Sequence, residues 1–188
     1  MNGILVYVIG PSGAGKDSVL RWTREHAPAG LGLHVARRTI SRPAADPSED
    51  HEAVSPDEFR RLVAAGAFAL HWEANDLGYG VRHEELAAIE RGGCVLVNGS
   101  RAYLAQARQR FPGLVVAYVN TSRAVLRARL LARGRETPQQ IEARLARSDR
   151  LPVAGAEVDV VIDNDGPLDR AGTQLLHFLQ RRCAPIAG

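Results

Sequence analysis

Ile4 to Ile9 form an unbroken apolar run, with no polar position to mark a solvent-facing side. A run of that length predicts a strand buried on both faces, as in a parallel sheet. It gives way to a glycine-rich stretch, Gly10-Pro11-Ser12-Gly13-Ala14-Gly15, and then to a helix from Lys16 to about His26. The alternation resumes with a helix near residues 82–91, the strand Cys94 to Val97, a helix from about 101 to 110, and the strand Leu114 to Val119. A last strand, Val158 to Ile162, precedes a closing helix, Leu168 to Arg182, with apolar positions at Leu175, Leu176, Phe178 and Leu179. Strands alternating with helices predict an α/β fold with a five-stranded parallel sheet, flanked by helices and joined by right-handed crossovers.

Two stretches break this rhythm. Between residues 34 and 80, Pro43, Pro47, Pro56 and the acidic residues Asp46, Glu49 and Asp50 interrupt any long period, and a short helix is expected after Ser55-Pro56-Asp57-Glu58. This stretch reads as an inserted acceptor-binding subdomain. Between residues 122 and 150 lies an arginine-studded pair of helices, broken at Gly134 and Pro138, which reads as a lid. The core is then residues 1–33, 81–121 and 151–188 of one domain.

Composition adds limits. A chain of 188 residues with 45% hydrophobic positions can build one core. The net charge of +3 suggests anionic partners, but the arginines are dispersed and aromatics make up only 5%, so a nucleic-acid platform is not expected. Cys94 and Cys183 are far apart in sequence without C-x-x-C spacing, which points away from zinc or a disulfide framework and toward a reducing cytoplasm. The first apolar run lacks a preceding basic segment and enters the glycine loop directly, so it is not expected to be a leader. No stretch is long enough to span a membrane.

The candidate chemistry begins at Lys16, the only lysine among 24 Lys+Arg positions. Arginine is otherwise the cation of choice, so the retained lysine marks a place for a compact point charge. It ends a G-x-x-x-x-G-K pattern between a strand and a helix. There, backbone N–H groups and the helix N-terminus surround phosphates and the lysine reaches their β and γ oxygens. Gly10, Pro11, Ser12, Gly13, Ala14, Gly15, Lys16, Asp17 and Ser18 are therefore the expected ATP-binding set. The usual pattern continues with a Ser or Thr that holds Mg²⁺, and here that position is Asp17. Asp17 can ligate the metal directly, through water, or not at all, with Ser18 as substitute; alternatively it is an acid favoured by the helix dipole.

Several ordered motifs resemble the guanylate kinase group of nucleoside monophosphate kinases, and within it the ribose 1,5-bisphosphate phosphokinases of phosphonate catabolism. They are the loop through Ser18, Thr39-Ile40-Ser41-Arg42-Pro43, His71-Trp72-Glu73-Ala74-Asn75 with Tyr79-Gly80-Val81, Val97-Asn98-Gly99-Ser100-Arg101-Ala102, Arg133-Gly134-Arg135-Glu136, Arg144-Leu145-Ala146-Arg147, and Asn164-Asp165-Gly166. The resemblance implies a P-loop kinase using ATP and Mg²⁺. Its acceptor side would comprise Arg38, Ser41, Arg42, His71, Glu73, Tyr79 and Asn98. Arg42 and Tyr79 match the positions that grip the acceptor phosphate in guanylate kinase. His71 stands where a base-reading glutamate would be, or else packs beside Trp72, and Asn98 stands where an aspartate follows the middle strand. A clamp without those carboxylates should reject guanine, because the polar edges of the base would go unpaired.

Transfer to a phosphate needs little acid-base machinery, since the nucleophile is already an anion; the obstacle is charge repulsion. The resemblance makes Arg133 and Arg144 the preferred lid arginines, followed by Arg135 and Arg147, with Arg129 on the ATP side; for each the alternative is a solvated helix face. Asn164 and Asp165 match a segment near the adenine, or simply form a turn. Glu73 and Asn75 hold ribose hydroxyls or cap a turn. The implied reaction is ATP-dependent phosphorylation of ribose 1,5-bisphosphate to 5-phosphoribosyl 1-diphosphate (PRPP). A nucleoside monophosphate kinase is the first alternative, and a non-catalytic interaction module the second.

Overall fold

The structure, a computed structural model, describes residues 3–42, 50–134, 136–149 and 158–183, with Ser148 described by its backbone alone. The apolar run forms β1 (Ile4–Ile9), followed by α1 (Lys16–His26). Then come three short strands, β2 (Leu33–Val35), β3 (Arg38–Ile40) and β4 (His51–Ala53), and helix α2 (Pro56–Ala64). Strands β5 (Phe68–Ala74) and β6 (Leu77–Arg82) precede a 3₁₀ turn, the short helix α3 (Ala87–Glu90) and β7 (Cys94–Asn98). The chain closes with α4 (Leu104–Arg110), β8 (Val115–Asn120), α5 (Arg123–Arg133), α6 (Pro138–Asp149), β9 (Val160–Asp163) and α7 (Leu168–Arg182).

The parallel core sheet has five strands in the order β2-β7-β1-β8-β9. Its fifth strand is Leu33–Val35, which crosses the expected boundary between residues 33 and 34. Side chains of β1 alternate between two cores, as a doubly covered strand requires. Val6 and Val8 face α1, α7 and the leucines of α5 and α6, while Leu5, Tyr7 and Ile9 face α4 and the second sheet. Cys94 and Cys183, distant in sequence, meet in the first of these cores as free thiols.

The second sheet lies in the segment read as an insertion and has the order β4-β3-β6-β5. In it β5 and β6 form a hairpin whose turn residues, Asn75 and Asp76, both have positive φ, a conformation that Asn and Asp tolerate well. Asn75 is thus a turn residue. Helix α2 begins as its sequence suggests: the Ser55 hydroxyl accepts the N–H of Glu58, and Pro56 takes the first turn.

Helices α5 and α6 are amphipathic. Leu126, Leu130, Ile141 and Leu145 join the core cluster that contains Ala14. Thr137 and Gln140 exchange hydrogen bonds at the start of α6, a capping box. Between the two helices, Glu142 accepts from Arg123 at 2.9 Å and from Arg127 at 2.7 Å.

Candidate functional site

All the chemistry expected of the loop falls at the carboxyl edge of the core sheet, where β1, β7, β8 and β9 end, the usual ligand edge of an open α/β sheet. Gly13 and Gly15 have φ of 91° and 84°, a region that other residues enter at a cost. Gly15 has a second constraint, since a Cβ there would lie 2.8 Å from Nδ2 of Asn164. The Ala14 carbonyl accepts hydrogen bonds from Nδ2 of Asn164 at 2.6 Å, Oγ1 of Thr121 at 3.3 Å and Nη1 of Arg129 at 3.4 Å. Because C=O and N–H point opposite ways across a trans peptide, pinning that carbonyl toward β8 and β9 turns the Gly15 N–H toward the phosphate side. The loop is thereby shaped for an anion before one arrives.

Lys16 Nζ rests 3.2 Å from the carbonyls of both Gly10 and Pro11. Burial lowers its pKa to about 8; Asp17 opposes that shift, while Arg38, Arg101 and Arg144 reinforce it. The ammonium is therefore poorly compensated until an anion binds. Arg144 reaches the loop from α6, with Nη2 donating to the Ser12 hydroxyl and Nη1 to Glu136, both at 2.6 Å. Arg133 is exposed at the end of α5, Arg147 is exposed on α6, and Arg135 lies outside the described residues.

The expected ATP-side residues divide by role. Arg129 and Asn164 act on the frame of the loop, and Nη2 of Arg129 also donates to the Asn164 carbonyl at 2.8 Å. Asp165 accepts the backbone N–H of Ser122 at 2.7 Å, which fixes the entry to α5. Ser18 is half-buried on the first turn of α1.

Among the residues expected on the acceptor side, Arg38 makes the central contacts. Its guanidinium lies 5.4 Å from the Tyr79 ring centroid, and it donates to the Asn98 carbonyl at 3.1 Å and to Asp17 Oδ1 at 3.4 Å. Tyr79 stacks on Trp72 at 5.7 Å, and Trp72 on Tyr103 at 5.7 Å, a rigid aromatic floor. The Ser41 hydroxyl accepts the N–H of Gly78 at 2.7 Å, so one of its lone pairs holds the sheet together while its proton stays available. Arg42 is half-buried just beyond β3. Asn98 ends β7, 5% exposed, and donates Nδ2 to Asp17.

His71 and Glu73 are not brought to this group. Strand pairing places His71 opposite Gly80 and Glu73 opposite Gly78, whereas Trp72 lies opposite Tyr79, so the two residues occupy the other face of the sheet. On that face His71 lies near Phe68, and its pKa is lowered by burial and then by Arg110. The side of the sheet turned to the loop carries Arg38, Ile40, Leu70, Trp72, Tyr79 and Val81, and no carboxylate among its described strand residues.

Sequence reasoning missed Thr121, Ser12 as partner of Arg144, Glu136, and Tyr7. The buried Tyr7 hydroxyl accepts the Ser100 N–H at 2.9 Å, which fixes the turn after Asn98, and burial pushes its pKa up. Asp17 fits a divalent metal that arrives with a nucleotide. Among the described residues no group of three or more His, Cys, Asp or Glu could hold an ion, and Mg²⁺ commonly takes one or two carboxylates with phosphate oxygens and water.

The guanylate kinase family model matches residues 3–182. Ribose 1,5-bisphosphate phosphokinase PhnN of Azotobacter vinelandii is 45% identical over 98% of this chain and 100% of its own length. The protein of the same name from Pseudomonas paraeruginosa is 48% identical, with the same coverage of each. Among solved structures, guanylate kinase from Anaplasma phagocytophilum superposes with a TM-score of 0.74 at 18% identity, covering 97% of this chain and 87% of that one, a likeness of fold. No described helix is long and apolar enough to cross a membrane.

Proposed function

The chain belongs to the guanylate kinase family, and from that premise we propose that it transfers the γ-phosphoryl group of ATP to the 1-phosphate of ribose 1,5-bisphosphate. The products are 5-phosphoribosyl 1-diphosphate and ADP. The observation that carries the choice of acceptor is the loop-facing side of the second sheet, which offers Arg38 over Tyr79 and no carboxylate on its described strands. Guanine presents N–H groups that need acceptors, and burying them unpaired costs about 1–3 kcal/mol each. A compact sugar phosphate asks instead for cations and a flat apolar floor.

The donor end is held by the loop amides and Lys16, with Arg144 positioned to leave Ser12 and Glu136 for the γ-phosphate. Arg38, Arg42 and Tyr79 fix the acceptor, whose phosphate oxygen attacks the γ-phosphorus as the bond to the β-bridging oxygen breaks. Asp17 would hold a Mg²⁺ ion, which would supply neutralisation of phosphate charge. The lid residues exclude water and thereby limit hydrolysis. The likeness of fold favours nucleoside monophosphate kinase activity as the second reading.

The test is ADP release from Mg-ATP with ribose 1,5-bisphosphate, GMP, dGMP or ribose 5-phosphate as acceptor. The bisphosphate should exceed every other by at least about a hundredfold in kcat/KM. GMP as the best acceptor would establish the second reading, and no acceptor above buffer would overturn both.

A further inference from the structure

Asp17 begins α1 beside the lysine, yet its carboxylate points to the acceptor side, where Oδ1 accepts from Nδ2 of Asn98 and, at 3.4 Å, from Nη2 of Arg38. The Asp17 side chain is 49% exposed and that of Arg38 only 11%, so the carboxylate has one face toward the guanidinium and one toward solvent. Asn98 Oδ1 is buried with no partner among the described residues, so the Asn98 amide is turned by its donation to the Asp17 carboxylate. Arg38 is otherwise anchored by the Asn98 carbonyl at 3.1 Å and by the Tyr79 ring. Its bond to Asp17 is longer than its bond to the Asn98 carbonyl and beyond the usual N–H···O range, so of these two it is the more easily surrendered.

Taken with the acceptor reading above, on which it rests, the geometry points to Asp17 as a carboxylate used in turn by two cations: Arg38 when the acceptor site is empty, and the divalent metal of the nucleotide once an acceptor phosphate has drawn Arg38 away. While Arg38 holds Asp17, the metal meets a carboxylate whose charge is partly compensated. When the acceptor phosphate takes the guanidinium, Asp17 is released to the metal. Donor and acceptor then bind with positive coupling, and by linkage each raises the affinity of the other by the same factor. Exchange of one half-exposed ion pair sets that factor at roughly fivefold.

The experiment uses Mn²⁺ as probe metal with a non-hydrolysable ATP analogue, bound Mn²⁺ being read by electron paramagnetic resonance, on the full chain and three variants: Arg38→Met, Asp17→Asn and the double change. Arg38→Met should tighten Mn²⁺ binding by about fivefold more in the Asp17 background than in the Asp17→Asn background. Equal tightening in both backgrounds, or weakening in the first, overturns the inference. If Arg38→Met melts early, the second arm decides with the unaltered chain: ribose 1,5-bisphosphate should tighten Mn²⁺ binding, and should lose that effect in Asp17→Asn. A bisphosphate that binds in calorimetry without changing the Mn²⁺ affinity overturns the shared carboxylate and leaves the acceptor reading standing. A bisphosphate that does not bind overturns the acceptor reading, while the variant cycle still judges Asp17.

Discussion

The two halves of the site are built from different material. The donor half is backbone: a loop whose Ala14 carbonyl is pinned by three side chains and whose amides have little freedom left. The acceptor half is side chain: a guanidinium over an aromatic stack, held to the donor half through Asp17 and Asn98. A backbone cradle suits the phosphates that every nucleotide shares, whereas side chains can be exchanged to change the acceptor. Specificity should therefore reside in the second sheet, and catalytic competence in the first.

The largest effect expected is from Lys16→Arg, which keeps the charge but replaces an ammonium by a planar fork in a site whose nearest oxygens are the Gly10 and Pro11 carbonyls. ADP release should fall by about a hundredfold or more, the scale of losing one preorganised phosphate contact. Near-normal turnover would remove the case for a dedicated point charge.

Asn164→Ala should loosen the cradle from beneath. Loss of the 2.6 Å bond to Ala14 removes one of three donors on that carbonyl. Stability should drop by roughly 1–2 kcal/mol, about 3–6 °C in Tm, and KM for ATP should rise by about tenfold while KM for the acceptor holds. A rise in both KM values alike would erase the distinction between the halves.

Acidity offers a comparable test without mutation. Burial sets the Lys16 pKa near 8 in the empty site, and bound phosphate should raise it, so ATP binding should take up a proton above pH 8. Affinity at pH 9 should be roughly tenfold weaker than at pH 7, read by calorimetry in buffers of different ionisation enthalpy. The empty protein follows the opposite trend. Its lysine binds fewer protons than the unfolded chain's between pH 8 and the ordinary 10.5, so this group's contribution to stability rises with pH across that window.

Tyr79→Leu should raise KM for the acceptor by about fivefold and leave ATP unaffected, because it removes the ring beneath Arg38. His71→Gln and Glu73→Gln should change acceptor KM by less than about twofold, since both residues sit on the far face. A large effect at either would put the site on the wrong side of the sheet.

These expectations separate what could be read in the sequence from what could not. The glycine loop was legible because its constraint is local: positive φ at Gly13 and Gly15, followed by a helix start. Strands β1, β7 and β8 were legible because burial on both faces leaves a nearly unbroken apolar run, whereas β2 in the same sheet, three half-buried residues, was not. The second sheet was not, because β3 and β4 are three residues each, too short for a period to show. His71 and Glu73 were assigned by their place in a motif, and a motif does not say which face of a strand each residue takes; the register that puts both opposite glycines, with Trp72 opposite Tyr79, does. Thr121 with Ala14 and Arg144 with Ser12 are contacts across more than a hundred residues that only the fold makes. Asp17 was visible as a departure from the loop pattern, but its pairing with Arg38 and Asn98 required the sheet order that brings β7 and β3 to the loop.

Phosphorus NMR of the reaction mixture tests the central claim most directly. With Mg-ATP and ribose 1,5-bisphosphate, the 1-phosphate resonance should disappear and a pair of mutually coupled diphosphate signals, distinct from those of ADP, should grow in step with ADP. Growth of ADP with inorganic phosphate alone, or no change in the 1-phosphate resonance, would contradict the account.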